Sequence, residues 1–325
     1  MKITIAIVFG IALAGNAVAQ PRGGESAYPV RPVRMIVPFA PGGSSDLVAR
    51  VMAQHLTSAW GQQVIVDNRP GANGMLGHQI GARSSADGYT IMLTSIGPLA
   101  VNPILFKEPG YDPQKSFAPV TLTVSLLNAV VVHPSVPVRS VKELIGYARA
   151  KPGEVTFGSS GVGGAGHLAG ELFNIMAGVK LVHVPYKGGA PAMLDLVGGR
   201  IHMIFATLVT ALPNMKGGKV RALAVTMKER ATIVPELPTV SESGLPGFEA
   251  NNWDGMLLPA GTPRAIVAKV SRDTGRALNL PEVKELLSGV GALPTPGTPD
   301  AFASYLKSEI EKWSDVIQRA GIRAE

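Results

Sequence analysis

Short apolar runs alternate with amphipathic helical ones along residues 34–225, and this alternation commits the chain to an α/β fold. The strand-like runs fall at 34–37, 64–67, 90–94, 129–133, 155–157, 180–184, 203–205 and 221–225. Helical spacing of apolar residues covers about 44–58, 72–84, 140–151, 165–177 and 189–198. Strands joined through helices pair in parallel, so mainly parallel sheets are expected. The C-terminal part follows a different rhythm. Thr262-Pro263 and Thr298-Pro299 each set a capping hydroxyl before a proline at the first helical position, opening helices that run to about 280 and 317. On the last of these, Phe302, Leu306, Ile310, Trp313 and Ile317 form one apolar face that must pack on structure already built. No repeat of 20–50 residues and no low-complexity tract is visible.

Two strand-to-helix junctions stand apart. Residues 38–46 read PFAPGGSSD, and residues 155–176 read VTFGSSGVGGAGHLAGELFNIM. In each, glycines let a partner come close to the first N–H groups of the following helix. Those free donors carry partial positive charge, so each junction suits a carboxylate or phosphate without an arginine. Ala72-Asn73-Gly74, Thr94-Ser95 and Tyr186-Lys187-Gly188-Gly189 lie at further strand ends, where open α/β sheets bind ligands. Two such junctions in separate units suggest a ligand held between two lobes.

Other chemistries fit less well. Gly161, Gly163 and Gly166 satisfy G-x-G-x-x-G, but a dinucleotide site expects an acidic residue after the next strand. Here that strand ends in Pro185-Tyr186-Lys187. Ser159, Ser160, His167 and Asp195 supply hydrolase side chains without the G-x-S-x-G elbow, because the run is Gly-Ser-Ser-Gly. An exported serine hydrolase using Ser160 and His167 is the enzyme alternative; the expectation is a non-enzyme. None of the histidines at 55, 78, 133, 167, 183 and 202 lies three or four residues from another, so neither a metal nor another cofactor is expected.

The formal charge of +7 is spread along the chain without a Lys/Arg block, which argues against nucleic acid as a partner. At the N-terminus, Lys2, the apolar run 3–15 and Ala17-Val18-Ala19 read as a signal peptide cleaved after Ala19. The run is too short to span a bilayer, so export to the periplasm is expected rather than an uncleaved membrane helix. Having no cysteine, the chain carries no lipidated cysteine, disulfide or thiolate metal site.

Long motifs in a fixed order carry a family resemblance. They include Ile36-Val37-Pro38-Phe39-Ala40-Pro41-Gly42-Gly43 with Asp46, Asn68-Arg69-Pro70-Gly71-Ala72 with Gly74, and Asp87-Gly88-Tyr89-Thr90. Ser159-Ser160-Gly161-Val162-Gly163, His167-Leu168-Ala169 and His183-Val184-Pro185-Tyr186-Lys187-Gly188 follow, then Pro238-Thr239-Val240, Trp253 with Gly255, and Pro259-Ala260-Gly261-Thr262-Pro263. Through nearly the whole mature chain the sequence resembles the Bug family, periplasmic solute receptors of tripartite tricarboxylate transporters.

The resemblance implies a two-lobed clamshell of the type II periplasmic-binding class, crossed near 126–128 and near 251–253. Lobe 1 would then be 28–127 plus 252–325, and lobe 2 would be 128–251. It also implies a small carboxylate ligand (a di- or tricarboxylate, an aromatic acid or an acidic amino acid) held largely by backbone amides and water. Carried over by position, the ligand-binding candidates of lobe 1 are Phe39, Gly42, Gly43, Ser44, Ser45, Asp46, Asn73, Thr94 and Ser95. Asp46 is expected to cap the turn rather than touch the ligand. Lobe 2 offers Ser159, Ser160, Gly163 and His167, with Tyr186 and Lys187, the latter ion-paired or solvated. The implied partners are membrane transporter subunits, or a sensor kinase if the protein signals instead, and a monomer is expected. One departure bears on the ligand: His202 and Ala206 stand where many relatives carry acidic residues, which argues against an amino acid.

Overall fold

The computed structural model describes residues 28–250 and 252–320. The signal peptide expected at 1–19 lies outside the described residues. The chain opens with β1 (Val33–Val37), α1 (Ser44–Trp60), β2 (Val64–Asn68), a 3-10 turn (Ala72–Gly74), α2 (Met75–Ala82) and β3 (Thr90–Ser95). A π-helical turn (Gly97–Val101), α3 (Asn102–Leu105) and the long strand β4 (Phe117–Leu126) follow. β1 is parallel to both β2 and β3 and is buried except at Arg34, which is why it reads as a continuous apolar run. The helix expected over 72–84 is two pieces. Gly71, Ala72, Asn73 and Gly74 all have positive φ, a conformation no right-handed helix passes through.

After Leu127 a second sheet begins: β5 (Asn128–Val132), α4 (Val141–Ala150), β6 (Thr156–Ser159), α5 (Ala165–Ala177) and β7 (Val182–Pro185). α6 (Gly189–Val197), β8 (Met203–Thr207), α7 (Leu208–Lys216) and β9 (Arg221–Val225) complete it. The chain then returns through β10 (Asn252–Pro259), α8 (Arg264–Asn279), α9 (Pro281–Ser288), β11 (Ala292–Pro294) and α10 (Pro299–Ala320).

Strand order is β11-β4-β10-β3-β1-β2 in one sheet and β7-β6-β8-β5-β9 in the other, giving two α/β lobes. The sheets are mixed rather than mainly parallel. β10 runs antiparallel to β3 and β4, β11 antiparallel to β4, and β5 antiparallel to β8 and β9. The cause is the chain's route: β5 and β10 each enter a sheet directly from the other lobe, with no crossover helix to impose parallel pairing.

The apolar face of α10 closes the first lobe. Phe302, Leu306, Trp313 and Ile317 are buried with Ile36, Met92 and Trp253, and Ile310 is half-buried beside them. Glu309 accepts hydrogen bonds from both indoles, Trp253 at 2.9 Å and Trp313 at 3.3 Å, so the polar edges of that core are satisfied.

Candidate functional site

At the end of β1 the turn 38–43 delivers the chain into α1. Gly42 has φ 81°, open only to glycine without strain, and Gly43 is an extended N-cap with no side-chain cap. The first helical bond runs from the Leu47 N–H to the Gly43 carbonyl, so the N–H groups of Ser44, Ser45 and Asp46 have no partner within the helix. Asp46 instead folds back on the turn. Its Oδ2 accepts from the Gly42 N–H and Arg50 Nε, both at 2.9 Å, and its Oδ1 accepts from Asn68 Nδ2 at 2.9 Å. Burial opposes ionisation, but these hydrogen bonds outweigh it and hold the carboxyl below its usual range. Beneath the turn, Ser45 Oγ donates to Asp254 Oδ1 at 2.9 Å.

The second junction repeats the plan at the end of β6. Gly161 and Gly163 have φ 142° and 79°, and Gly164 is an uncapped N-cap for α5. His167 Nδ1 accepts the Gly163 N–H at 3.0 Å, pinning the turn from the helix it opens. Ser159 Oγ donates to the Gly161 carbonyl at 2.9 Å and lies 2.7 Å from His183 Nε2. The His167 and His183 rings stack with centroids 3.9 Å apart. Burial depresses His167 to about 4; burial, with His167 alongside, depresses His183 to about 3. Both are neutral at neutral pH.

Between these turns lies a cavity with about 620 Å³ of space, part of it open to solvent. The first lobe contributes Phe39, Gly43, Ser44, Ser45 and Ser95 to its wall. Asn128 and Asn252, the first residues of β5 and β10, sit where the two sheets adjoin. From the second lobe come Gly158, Ser159 and Ser160, the α5 start at Ala165 and Gly166, and the α6 residues Gly189 and Ala192. The end of β8, from Ile204 to Thr207, and Thr210 on α7 complete the wall. The N-caps of α1, α5, α6 and α7 all lack a side-chain cap. Among helices that do not line it, α4 is capped, Ser140 Oγ accepting the Glu143 N–H and Glu143 accepting the Arg139 N–H, while α2, α8 and α9 have no side-chain cap either. The lobes touch around the cavity. The Ala40 N–H donates to the Lys187 carbonyl at 3.2 Å, and Gly161 packs against Asn73.

Seven of the residues singled out from sequence line this cavity: Phe39, Gly43, Ser44, Ser45, Ser95, Ser159 and Ser160. The others stand behind or beside it. Gly42 and Asp46 order the first turn, and Gly163 and His167 the second. Asn73 donates to Asn102 Oδ1 at 2.8 Å, while Thr94, one residue before Ser95, faces the opposite side of β3. Tyr186 donates to Asp195 at 2.8 Å; Lys187 is exposed, without an ion-pair partner among the described residues. His202, bonded to Thr156, is away from the cavity, whereas Ala206 is on its wall. Sequence reading missed Asn128, Asn252 and, beyond Ala206, the β8–α7 corner at Thr207 and Thr210. The available signal was position: both asparagines lie within the expected crossings.

The pair named for a hydrolase is not assembled. Ser160 and His167 share no hydrogen bond among the described residues; His167 Nε2 faces Glu171 at 3.7 Å instead. No group of three or more His, Asp or Glu able to hold a metal occurs among the described residues.

Residues 48–322 match the family model described as "Tripartite tricarboxylate transporter family receptor". Protein BugT of Bordetella pertussis is 37% identical over 317 residues, covering 97% of each chain. Among solved structures, Rhodopseudomonas palustris Rpa4515 with adipate superposes with a TM-score of 0.89 at 38% identity, covering 91% of this chain and 99% of that one. MatC (Rpa3494) from Rhodopseudomonas palustris with bound malate gives a TM-score of 0.85 at 32% identity, covering 89% of this chain and 100% of that one.

Proposed function

The chain belongs to the tripartite tricarboxylate transporter receptor family, and on that footing we propose that it is an exported receptor that traps a small carboxylate between its lobes and passes it to a membrane transporter. The observation that carries this reading is the meeting of four helix N-termini, α1, α5, α6 and α7, around one cavity. N–H groups without a partner inside their helices and the positive ends of helix dipoles stabilise an anion there, α7 acting through its dipole because the Leu208 N–H already donates to the Leu127 carbonyl. The adipate and malate in the two Rhodopseudomonas relatives agree with a carboxylate ligand.

In this reading the amides near Ser44 and Ser45 meet one carboxylate, while Ser159, Ser160 and the start of α5 meet another part of the ligand. Lobe 1 is 28–127 with 252–325, lobe 2 is 128–251, and the lobes hinge at the two crossings. Loss of the leader after Ala19 leaves a periplasmic monomer. No helix among the described residues is long and apolar enough to cross a membrane, in keeping with that location.

The test is thermal unfolding of the mature protein against mono-, di- and tricarboxylates, aromatic acids and amino acids. A ligand present at a hundred times its dissociation constant adds about 2.7 kcal/mol, a readily seen shift. A panel without any shift, from protein shown by mass spectrometry to be ligand-free, contradicts the reading.

A further inference from the structure

The cavity wall mixes apolar and neutral polar groups and carries no charged side chain. Among the described residues that line it, none is Asp, Glu, Lys, Arg or His. Of the nearby carboxylates, two are committed elsewhere and the third is sealed beneath the wall. Asp46 is wrapped by Gly42, Arg50 and Asn68; Asp195 is bound by Tyr186 and Arg200; and Asp254 is fully buried beneath Ser45. On the wall itself, Ala206 presents a methyl group.

A second observation favours a polar ligand group here. Asn128 is 2% exposed and lines the cavity, yet its Oδ1 has no hydrogen-bond partner among the described residues. A buried amide oxygen left unsatisfied is costly, and a ligand hydroxyl donating to it relieves that cost. Being neutral, the amide accepts from a hydroxyl in one orientation and donates to a carboxylate in the other.

These features together set what enters. Helix N-termini supply positive potential on several sides, no lining side chain supplies negative charge, and Asp254 behind Ser45 is neutral below about pH 7. An ammonium placed there loses its water without gaining a counter-ion and meets helix dipoles of its own sign. A carboxylate meets the opposite situation. We propose that the cavity takes acids whose only charged groups are carboxylates and rejects their α-amino counterparts. This rests on the carboxylate-receptor reading above and narrows it to a ligand class.

The experiment is calorimetric titration of the mature protein at pH 6.0, where Asp254 keeps its proton, with matched pairs: succinate and aspartate, glutarate and glutamate, adipate and 2-aminoadipate. For any pair that binds, the aminated member binds at least 100-fold more weakly. Equal or tighter binding by the aminated member overturns this inference and leaves the carboxylate reading standing. Binding by no acid overturns that reading and this inference with it. Ala206→Asp supplies the internal control: it weakens the simple dicarboxylate and narrows the ratio by at least tenfold. An unchanged ratio places the ligand away from β8 and contradicts the assignment of Ala206 to the selective wall.

Discussion

Ser45 on the first turn of α1 donates its hydroxyl to Asp254 on β10 at 2.9 Å, joining the cavity wall to the strand by which the chain re-enters the first sheet. The other carboxylate oxygen of Asp254 has no partner among the described residues, and the side chain is fully buried. Burial raises this carboxyl from 3.8 to about 7, outweighing the hydrogen bond from Ser45.

That shift fixes the sign of a pH dependence. Between about pH 4 and 7 the folded chain holds a proton that the unfolded chain releases. The resulting stability is fully present below pH 4 and is lost as the pH rises through 7. Asp254→Asn removes this dependence. Urea unfolding of both proteins is expected to show wild type losing ground to the variant from pH 4 to 8, by on the order of 4 kcal/mol at most. A difference that stays constant with pH contradicts a raised Asp254.

Binding through backbone donors predicts an unusual mutational pattern. Ser44 is the first residue of α1, and Gly43 before it is extended (φ −83°, ψ 175°), so proline fits there. Ser44→Pro removes one N–H from the cavity while the ligand-free protein keeps its stability to within about 0.5 kcal/mol. Dicarboxylate affinity falls at least tenfold by calorimetry. Ser44→Ala, which retains the amide, binds within a few-fold of wild type; equal losses in the two variants contradict an amide contact.

Gly255 tests the packing that brings α10 onto the first sheet. A Cβ at this position collides with the ring of Phe302. Gly255→Ala is expected to cost roughly 1–3 kcal/mol. Gly146 in α4 is exposed and has open space around its Cβ position, so Gly146→Ala is expected to gain roughly 0.5–1 kcal/mol. Melting temperatures that move in opposite directions bear this out.

The stacked histidines make a prediction in the acid range. His167 and His183 are held neutral by burial, at about 4 and about 3, so NMR titration should show both rings uncharged down to about pH 5. With folded values below those of free imidazole, their contribution to stability is present above about pH 6.5 and fades as the pH falls toward 4. Ring signals that titrate near 6.5 contradict the packing of Ser159, His183 and His167.

What could be read from sequence was local. The turn at 38–46 announces itself because glycines, hydroxyls and Asp46 lie within a few residues of one another, and 159–167 does the same. Features set by distant neighbours were not legible. All eight residues of β10 are buried, including Asn252 and Asp254, so alternation is absent and no strand was expected there. α7 carries Pro213 and begins directly after β8, with neither a glycine turn nor a side-chain cap to mark its start. Asn128 and Asn252 are separated along the chain and meet only because β5 and β10 start at the two crossings.

The account's central claim is that backbone amides at helix N-termini hold the ligand's carboxylates. The measurement that reaches it most directly is a backbone amide NMR titration of the mature protein with the tightest-binding dicarboxylate. Large, saturable downfield shifts are predicted at Ser44, Ser45, Ala165, Gly166 and Gly189, with little change in capped α4 around Glu143. Saturable binding that leaves those amides unmoved would contradict it.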